Sequence, residues 1–295
     1  MINEIEDFIK VKTIDGKSQN TTINYKSDLR ILEAYCESKQ IGLSNMTQND
    51  FNEFKDYLMT QHLTSEGKLF STSSINRIII TIKEFYKYMV YIKAVVQNPT
   101  LDLRCNKLPK RLPKYFTLKE VKRLLQSLEE TGHERDTAII QLFLSVGLRL
   151  SEMANLKVKD IHGNQLRVIG KGNKERVVAL NNTVLTSINE YMKTRKDSTC
   201  EALFLSSRDR GISLSSIKLL VKQSLTTSGI PIMSVHKLRH TAATLMLEAG
   251  VDIRIIQEIL GHENIATTTI YAHVNDSQKN VASKKSEELM FGGKK

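Results

Sequence analysis

Near the end of this 295-residue chain, a tyrosine sits in unusual company. The stretch LGHENIATTTIYAHV, residues 260–274, closes an apolar helical pattern at Gly261 and His262. Thr267, Thr268 and Thr269 then interrupt before Tyr271, nine residues past His262. Threonine has low helix propensity, although Asn264 can cap a short helix. Such a segment depends on tertiary contacts more than on its own hydrogen bonds, and a phenol held that way is a candidate nucleophile. An unperturbed phenol titrates at about 10, so it needs a base or cations beside it.

Groups of that kind recur upstream. GLRLSE, Gly147–Glu152, places Arg149 at the end of an apolar helical run. An arginine there needs a carboxylate or a phosphate. Glu152 can orient it, and a purely structural Arg149–Glu152 pair is the competing account. GKGNKER, Gly170–Arg176, is no phosphate loop, because a strand follows where a P-loop requires a helix. It reads as a β-hairpin showing Lys171, with Lys174, at its tip, and ordinary solvated lysines compete with that reading. HKLRH, His236–His240, has two histidines at i and i+4, the spacing of a helical zinc site. Lys237 stands where HExxH has its glutamate, so zinc is disfavoured. His236 and Arg239 share a helix face and can address one phosphate, whereas His240 is expected half-buried on a backbone carbonyl. No carboxylate cluster has metal-ligand spacing, and no metal or other cofactor is expected.

Lysine and arginine total 43 against 32 aspartates and glutamates, a net charge of +11. That excess favours a polyanionic partner, and nucleic acid is the commonest. Cys36, Cys105 and Cys200 are scattered, which argues against a disulfide framework and for a reducing, cytoplasmic setting. The acidic N-terminus lacks the apolar run of a leader, and Ala138–Leu148 is too short to span a bilayer. No membrane partner is expected.

The elements that must carry these groups form two domains. Pro99, Pro109 and Pro113 mark residues 99–114 as an extended basic linker with Lys110 and Arg111. Residues 1–98 read as a helical bundle, with helices over 21–39 (capped by Asn20 or Thr21), 48–63 and 73–91. The last of these carries Asn76, Arg77, Lys83 and Lys87 on its flanks, a basic face or simply a solvated one. Residues 115–295 read as mixed but mostly α. A helix over 117–128 opens with a Thr117–Glu120 capping box. A buried helix over 136–148 follows, then short strands over 166–170 and 176–180. Helices over 182–194, 214–227, 236–249 and 252–260 complete the pattern. The expected fold class is mainly α, an N-terminal helical bundle plus a mostly α domain with a small β-sheet.

Taken together and in order, GLRLSE, GKGNKER, HKLR, and LGH followed by a tyrosine closely resemble the tyrosine recombinase (integrase) family. The resemblance covers the whole second domain and reaches the first through SSINRIIITIKEFYKYM, which is similar to that family's core-binding helix. The chain looks like the Xer type, a core-binding bundle plus a catalytic domain with no arm-binding domain. The resemblance implies that Tyr271 is the nucleophile and that Arg149 and Arg239 hold the scissile phosphate. It implies that Lys171 protonates the leaving 5′-oxygen, His236 assists proton transfer at the tyrosine, and His262 hydrogen-bonds the phosphate. Glu152 and His240 would support these groups. Asn76, Arg77, Lys83, Lys87, Lys110, Arg111, Lys174 and Arg176 are candidate DNA contacts. The implied partners are double-stranded DNA with an inverted-repeat core site and either three further copies in a homo-tetramer on two sites or copies alongside a paralogous recombinase, an alternative the sequence leaves open. Residues 277–291 would be a segment exchanged between protomers on DNA, with a helix packed on its own domain as the competing account in the free protein.

The chemistry is coherent in its own right. Attack on a phosphodiester builds negative charge on the equatorial oxygens, and two guanidiniums and two imidazoles supply fixed donors there. A phosphotyrosyl link retains the ester, so rejoining needs neither ATP nor a ligase. The runner-up readings are a type IB topoisomerase, which typically has lysine where this chain has His236, and a catalytically inactive DNA-binding accessory protein.

Overall fold

The computed structural model describes residues 4–64, 66–108, 114–195 and 199–261. His262, Tyr271, the 277–291 segment, Lys110 and Arg111 lie outside the described residues. The chain separates into two compact units, Met1–Lys110 and Arg111–Lys295. Both are dominated by helices, with one small antiparallel sheet. Among the described residues no helix is long and apolar enough to cross a membrane.

The first unit is a four-helix bundle: α1 (Glu4–Ile14), α2 (Gln19–Lys39), α3 (Gln48–Thr60) and α4 (Thr72–Tyr91). The sequence reading lacked α1. Glu4, Glu6 and Asp7 favour its positive N-terminal end, and Ile5 and Phe8 bury its inner face. Phe8 stacks against Tyr25 of α2 and, edge-on, against Phe85 of α4. The cap of α2 is Ser18, rather than Asn20 or Thr21: its hydroxyl accepts the Thr21 N–H at 3.3 Å. α3 stops at Thr60 rather than Leu63, because Leu63 pairs across a tight turn with Leu69.

Two features of this unit depart from the sequence expectation. Asn76, expected to face DNA, is buried. Its amide donates to the Asn106 carbonyl and accepts the Asn106 N–H, both at 2.8 Å. Residues 100–106, within the expected linker, are therefore tied to the bundle through Thr100, Leu103 and Asn106. Leu103 joins its core, and Lys55 Nζ donates to the Arg104 carbonyl at 2.8 Å. Lys83 Nζ reaches the Leu101 carbonyl at 3.4 Å. Lys87 pairs with Glu84 at 2.8 Å, and Arg77 bonds the buried Asp28 at 2.6 Å while its own side chain stays 47% exposed.

The second unit is built round one helix. α5 (Leu118–Thr131) opens with the expected Thr117–Glu120 box and ends at Gly132. α6 (Glu134–Val146) buries Ala138, Ile139, Ile140, Leu142 and Phe143 completely, and its charged residues Glu134, Arg135 and Asp136 are confined to its first turn. α7 (Leu150–Asn155) follows after a sharp turn. The sheet has the order β1 (Ile161–His162), β2 (Gln165–Ile169), β3 (Glu175–Ala179), and the sequence reading lacked β1. Leu166 faces Val178 and Val168 faces Arg176, which turns the apolar side chains inward. Lys171–Asn173 is the tight turn between β2 and β3, with Gly172 at φ +72°. α8 (Asn182–Thr194), α9 (Leu214–Thr227), α10 (Val235–Glu248) and α11 (Ile253–Leu260) complete the unit. α6 packs on α8 and α10, and α10 packs on α11.

Candidate active site

Gly147 is the pivot that assembles the site. It ends α6 at φ +64°, a left-handed turn that disfavours any side chain. An added Cβ would lie 2.4 Å from Leu260 Cδ2, 3.5 Å from Ala242 Cβ and 3.6 Å from Arg239 Cγ. Glycine thus lets the α6–α7 corner, α10 and the end of α11 close on one point. Arg149 caps α7 from this corner, and Glu152 sits one turn inside it.

The buried carboxylate of Glu152 is the hub. Its Oε1 accepts Arg149 Nη1 at 2.6 Å and Arg176 Nη1 at 3.0 Å. Its Oε2 accepts the Arg149 backbone N–H and Arg176 Nη2, each at 2.8 Å. Arg239 Nη1 lies 4.0 Å from Oε2. Burial by itself would raise the pKa of Glu152. The hydrogen bonds from Arg176, the Arg149 backbone and the Arg149 guanidinium outweigh it and hold the carboxyl at about 2. Three guanidiniums around one carboxylate leave a local excess of positive charge.

Those same arginines grip the end of α11. Arg176 Nε donates to the Ile259 carbonyl at 2.8 Å, Arg239 Nη2 to Leu260 at 2.7 Å, and Arg149 Nη2 to Gly261 at 2.7 Å. Arg239 Nη1 also donates to the Gly147 carbonyl at 2.6 Å. These are carbonyls that a helix end leaves unsatisfied, at the negative pole of its dipole. The next residue in the chain is His262.

His236 stands on the first turn of α10, open to solvent. Partial desolvation lowers its pKa, and the charges of Arg239 and Arg149 lower it further, so the imidazole is neutral at pH 7. A neutral imidazole has a ring nitrogen open to a proton, and the guanidiniums beside it make it a weaker base than a free histidine. His240, one turn on, is pushed down to about 4, first by burial and then by Lys237, His236 and Arg239. Its ordinary value is 6.5, so as pH falls the unfolded chain takes the proton first. Its contribution to stability is full above pH 6.5 and is lost as pH falls to about 4. The melting temperature is expected to drop over that window, and His240→Gln to flatten this part of the curve. Among the described residues no three His, Cys, Asp or Glu side chains gather closely enough to hold a metal ion.

The structure therefore brings Arg149, Glu152, His236 and Arg239 together. The Lys171 backbone lies in the hairpin turn, on the strand pair that delivers Arg176. Arg176 departs from its expected part. Its three guanidinium nitrogens all donate to Glu152 or to the Ile259 carbonyl, and its side chain is 13% exposed. The signal was present in RVVAL: period-two alternation puts Arg176 on the face of buried Val178.

Residues 114–278 match the family described as Phage integrase family, and residues 5–91 match Phage integrase, N-terminal SAM-like domain. Tyrosine recombinase XerC of Caldanaerobacter subterraneus subsp. tengcongensis is 39% identical over 301 residues, covering 93% of this chain and 84% of that protein. Two solved structures share the fold. XerH site-specific recombinase bound to palindromic difH substrate, a post-cleavage complex, has a TM-score of 0.75 at 20% identity, covering 90% of this chain and 80% of that one. A lambda integrase tetramer bound to a Holliday junction has a TM-score of 0.69 at 18% identity, covering 88% and 76%. The motif order, the arginine cluster and these matches agree, and the chain belongs to the phage integrase family as a tyrosine site-specific recombinase of the Xer type.

Proposed function

We propose that Arg149 and Arg239 hold the non-bridging oxygens of one scissile phosphate in double-stranded DNA while Tyr271 attacks the phosphorus. The phenol oxygen forms the new P–O bond and the 5′-oxygen leaves, giving a 3′-phosphotyrosyl link. Lys171 supplies the proton to the leaving 5′-oxygen, and neutral His236 takes the proton from the phenol. His262 donates a hydrogen bond to the phosphate. A second strand's 5′-hydroxyl then displaces the tyrosine, and the reverse proton transfers regenerate the enzyme. Two guanidiniums preorganised on a rigid hub stabilise the developing charge without reorganising as it forms.

One observation carries this reading. Arg149 and Arg239 converge on Glu152 and on the successive carbonyls of residues 261 and 260, where the chain runs on to His262. Arg77, Lys83, Lys87 and Lys174 serve the DNA backbone, in keeping with the net charge of +11. Two copies bind an inverted-repeat site and two sites assemble four copies, a reading supported by the palindromic substrate of XerH and the lambda integrase tetramer.

The test is covalent trapping on nicked genomic fragments, followed by sequencing of the DNA left on the protein. Adducts are expected at one inverted repeat. Adducts scattered over unrelated sequence would favour a relaxing enzyme and overturn site specificity. A site with unlike half-repeats and adduct on one side only points to a paralogous partner on the other.

A further inference from the structure

We propose that Arg176 is a positioning residue of the recombination reaction, which fills the lone pairs of Glu152 that would otherwise capture Arg239. The proposal rests on the assignment of Arg149 and Arg239 to the scissile phosphate.

A carboxylate offers about four lone-pair sites. In Glu152 all four are taken: Arg149 supplies two donors and Arg176 two, the latter as a bidentate fork. Arg239 Nη1 stops at 4.0 Å from Oε2, outside hydrogen-bond reach. Without Arg176, each carboxylate oxygen loses one donor in a buried site. Arg239 Nη1, bonded to the Gly147 carbonyl at 2.6 Å and 4.0 Å from Oε2, is then drawn onto the carboxylate and away from the phosphate.

Arg176 also sets where α11 ends. Its Nε holds the Ile259 carbonyl, and Gly261, at φ +67°, lies against its guanidinium. A Cβ on Gly261 would fall 3.0 Å from Arg176 Nη1 and 3.3 Å from Arg176 Cδ and Cζ. One planar side chain on β3 thus joins the hairpin whose turn contains Lys171, the Glu152 hub, and the residue before His262. Lysine cannot replace it, because a single ammonium has no fork to span both oxygens and the carbonyl.

The experiment measures single-turnover adduct formation at saturating protein, and separately the Kd, on a nicked duplex carrying the site recovered by trapping. It compares the native full chain with Arg176→Gln, Arg176→Lys, Arg149→Gln and the double variant Glu152→Gln/Arg176→Gln, below each melting temperature. Arg176→Gln and Arg176→Lys are expected to slow adduct formation at least tenfold while Kd changes less than threefold. The double variant is expected to recover at least threefold over Arg176→Gln, since the carboxylate that captures Arg239 is gone. An adduct rate unchanged in folded Arg176→Gln would reduce Arg176 to a structural part and overturn the proposal. A Kd weakened tenfold with a shallower salt dependence would make it a direct phosphate contact and overturn it equally. A rate unchanged in Arg149→Gln would remove the phosphate assignment itself, and a slowed Arg149→Gln beside an unaffected Arg176→Gln removes Arg176 alone.

Discussion

Tyr271→Phe is expected to leave DNA binding within about threefold of the native affinity and to abolish the covalent protein–DNA adduct. The substitution removes one oxygen and keeps the ring, so whatever packing holds the segment is preserved. Phosphate contacts from arginine and lysine supply most of the affinity and are untouched. The lost atom is the one proposed to form the bond to phosphorus. Removal of an enzyme's nucleophile costs on the order of a million-fold in rate, which takes the adduct below detection. The measurement is a nicked-duplex trapping reaction resolved on a denaturing gel, with a gel-shift titration in parallel. An adduct that survives Tyr271→Phe would mean that another residue attacks, and His236 would then serve a different group. The neutral state of His236 matters to the same step. With its pKa lowered by desolvation and by Arg239 and Arg149, it has room for the phenolic proton at pH 7.

Glu152→Ala is the second large effect, and it acts on the fold as well as on the chemistry. The side chain is 2% exposed and accepts hydrogen bonds from two arginines. Removing it leaves Arg149, Arg176 and Arg239 facing one another without a counter-charge. Breaking a buried pair from one side costs about 3–5 kcal/mol. An exposed pair such as Lys87–Glu84, with the lysine 65% exposed, contributes far less because water screens it. Urea unfolding of the full chain should show the loss in the second unit, and adduct formation should fall with it because the two guanidiniums proposed to hold the phosphate lose their common anchor. Glu152→Gln should cost less stability, since an amide oxygen still accepts.

The same carboxylate gives a pH signature of defined sign. Its folded pKa is held at about 2 against an ordinary 4.5. Stability from this group is complete above pH 4.5 and is lost as pH falls through about 2, a span equivalent to about 3 kcal/mol. Glu152→Gln should lack that acid limb while retaining the limb from His240 between 6.5 and about 4. A native chain whose stability is flat from pH 4.5 to 2 would show that the three-arginine hub does not hold in solution.

Much of this was readable before folding. The Thr117–Glu120 box opened α5 as read, and the bounds of α8 and α9 agree with the sequence pattern, because caps and helical periodicity act over three or four residues. The order GLRLSE, GKGNKER, HKLR, LGH and tyrosine identified the family from local strings. Other features were not readable locally. α1 has only Ile5 and Phe8 buried at its core face, and its existence depends on Tyr25 and Phe85 being present to receive Phe8. Asn76 looked like one more polar residue on a basic helix, and nothing local says that residues 100–106 return to cover it.

What the sequence determined alone is the list of candidate reactive groups, most of the helices around them and the family they belong to, all set by interactions between residues a few positions apart. Where each arginine places its donors was decided only by tertiary structure. Arg149, Arg176 and Arg239 are alike in chemistry. They differ in where a buried carboxylate, a helix end and a crowded glycine turn leave each guanidinium, and those neighbours lie as far as 112 residues away along the chain. Burial makes the distinction, because a charge removed from water must satisfy its donors with whatever the fold has placed beside it.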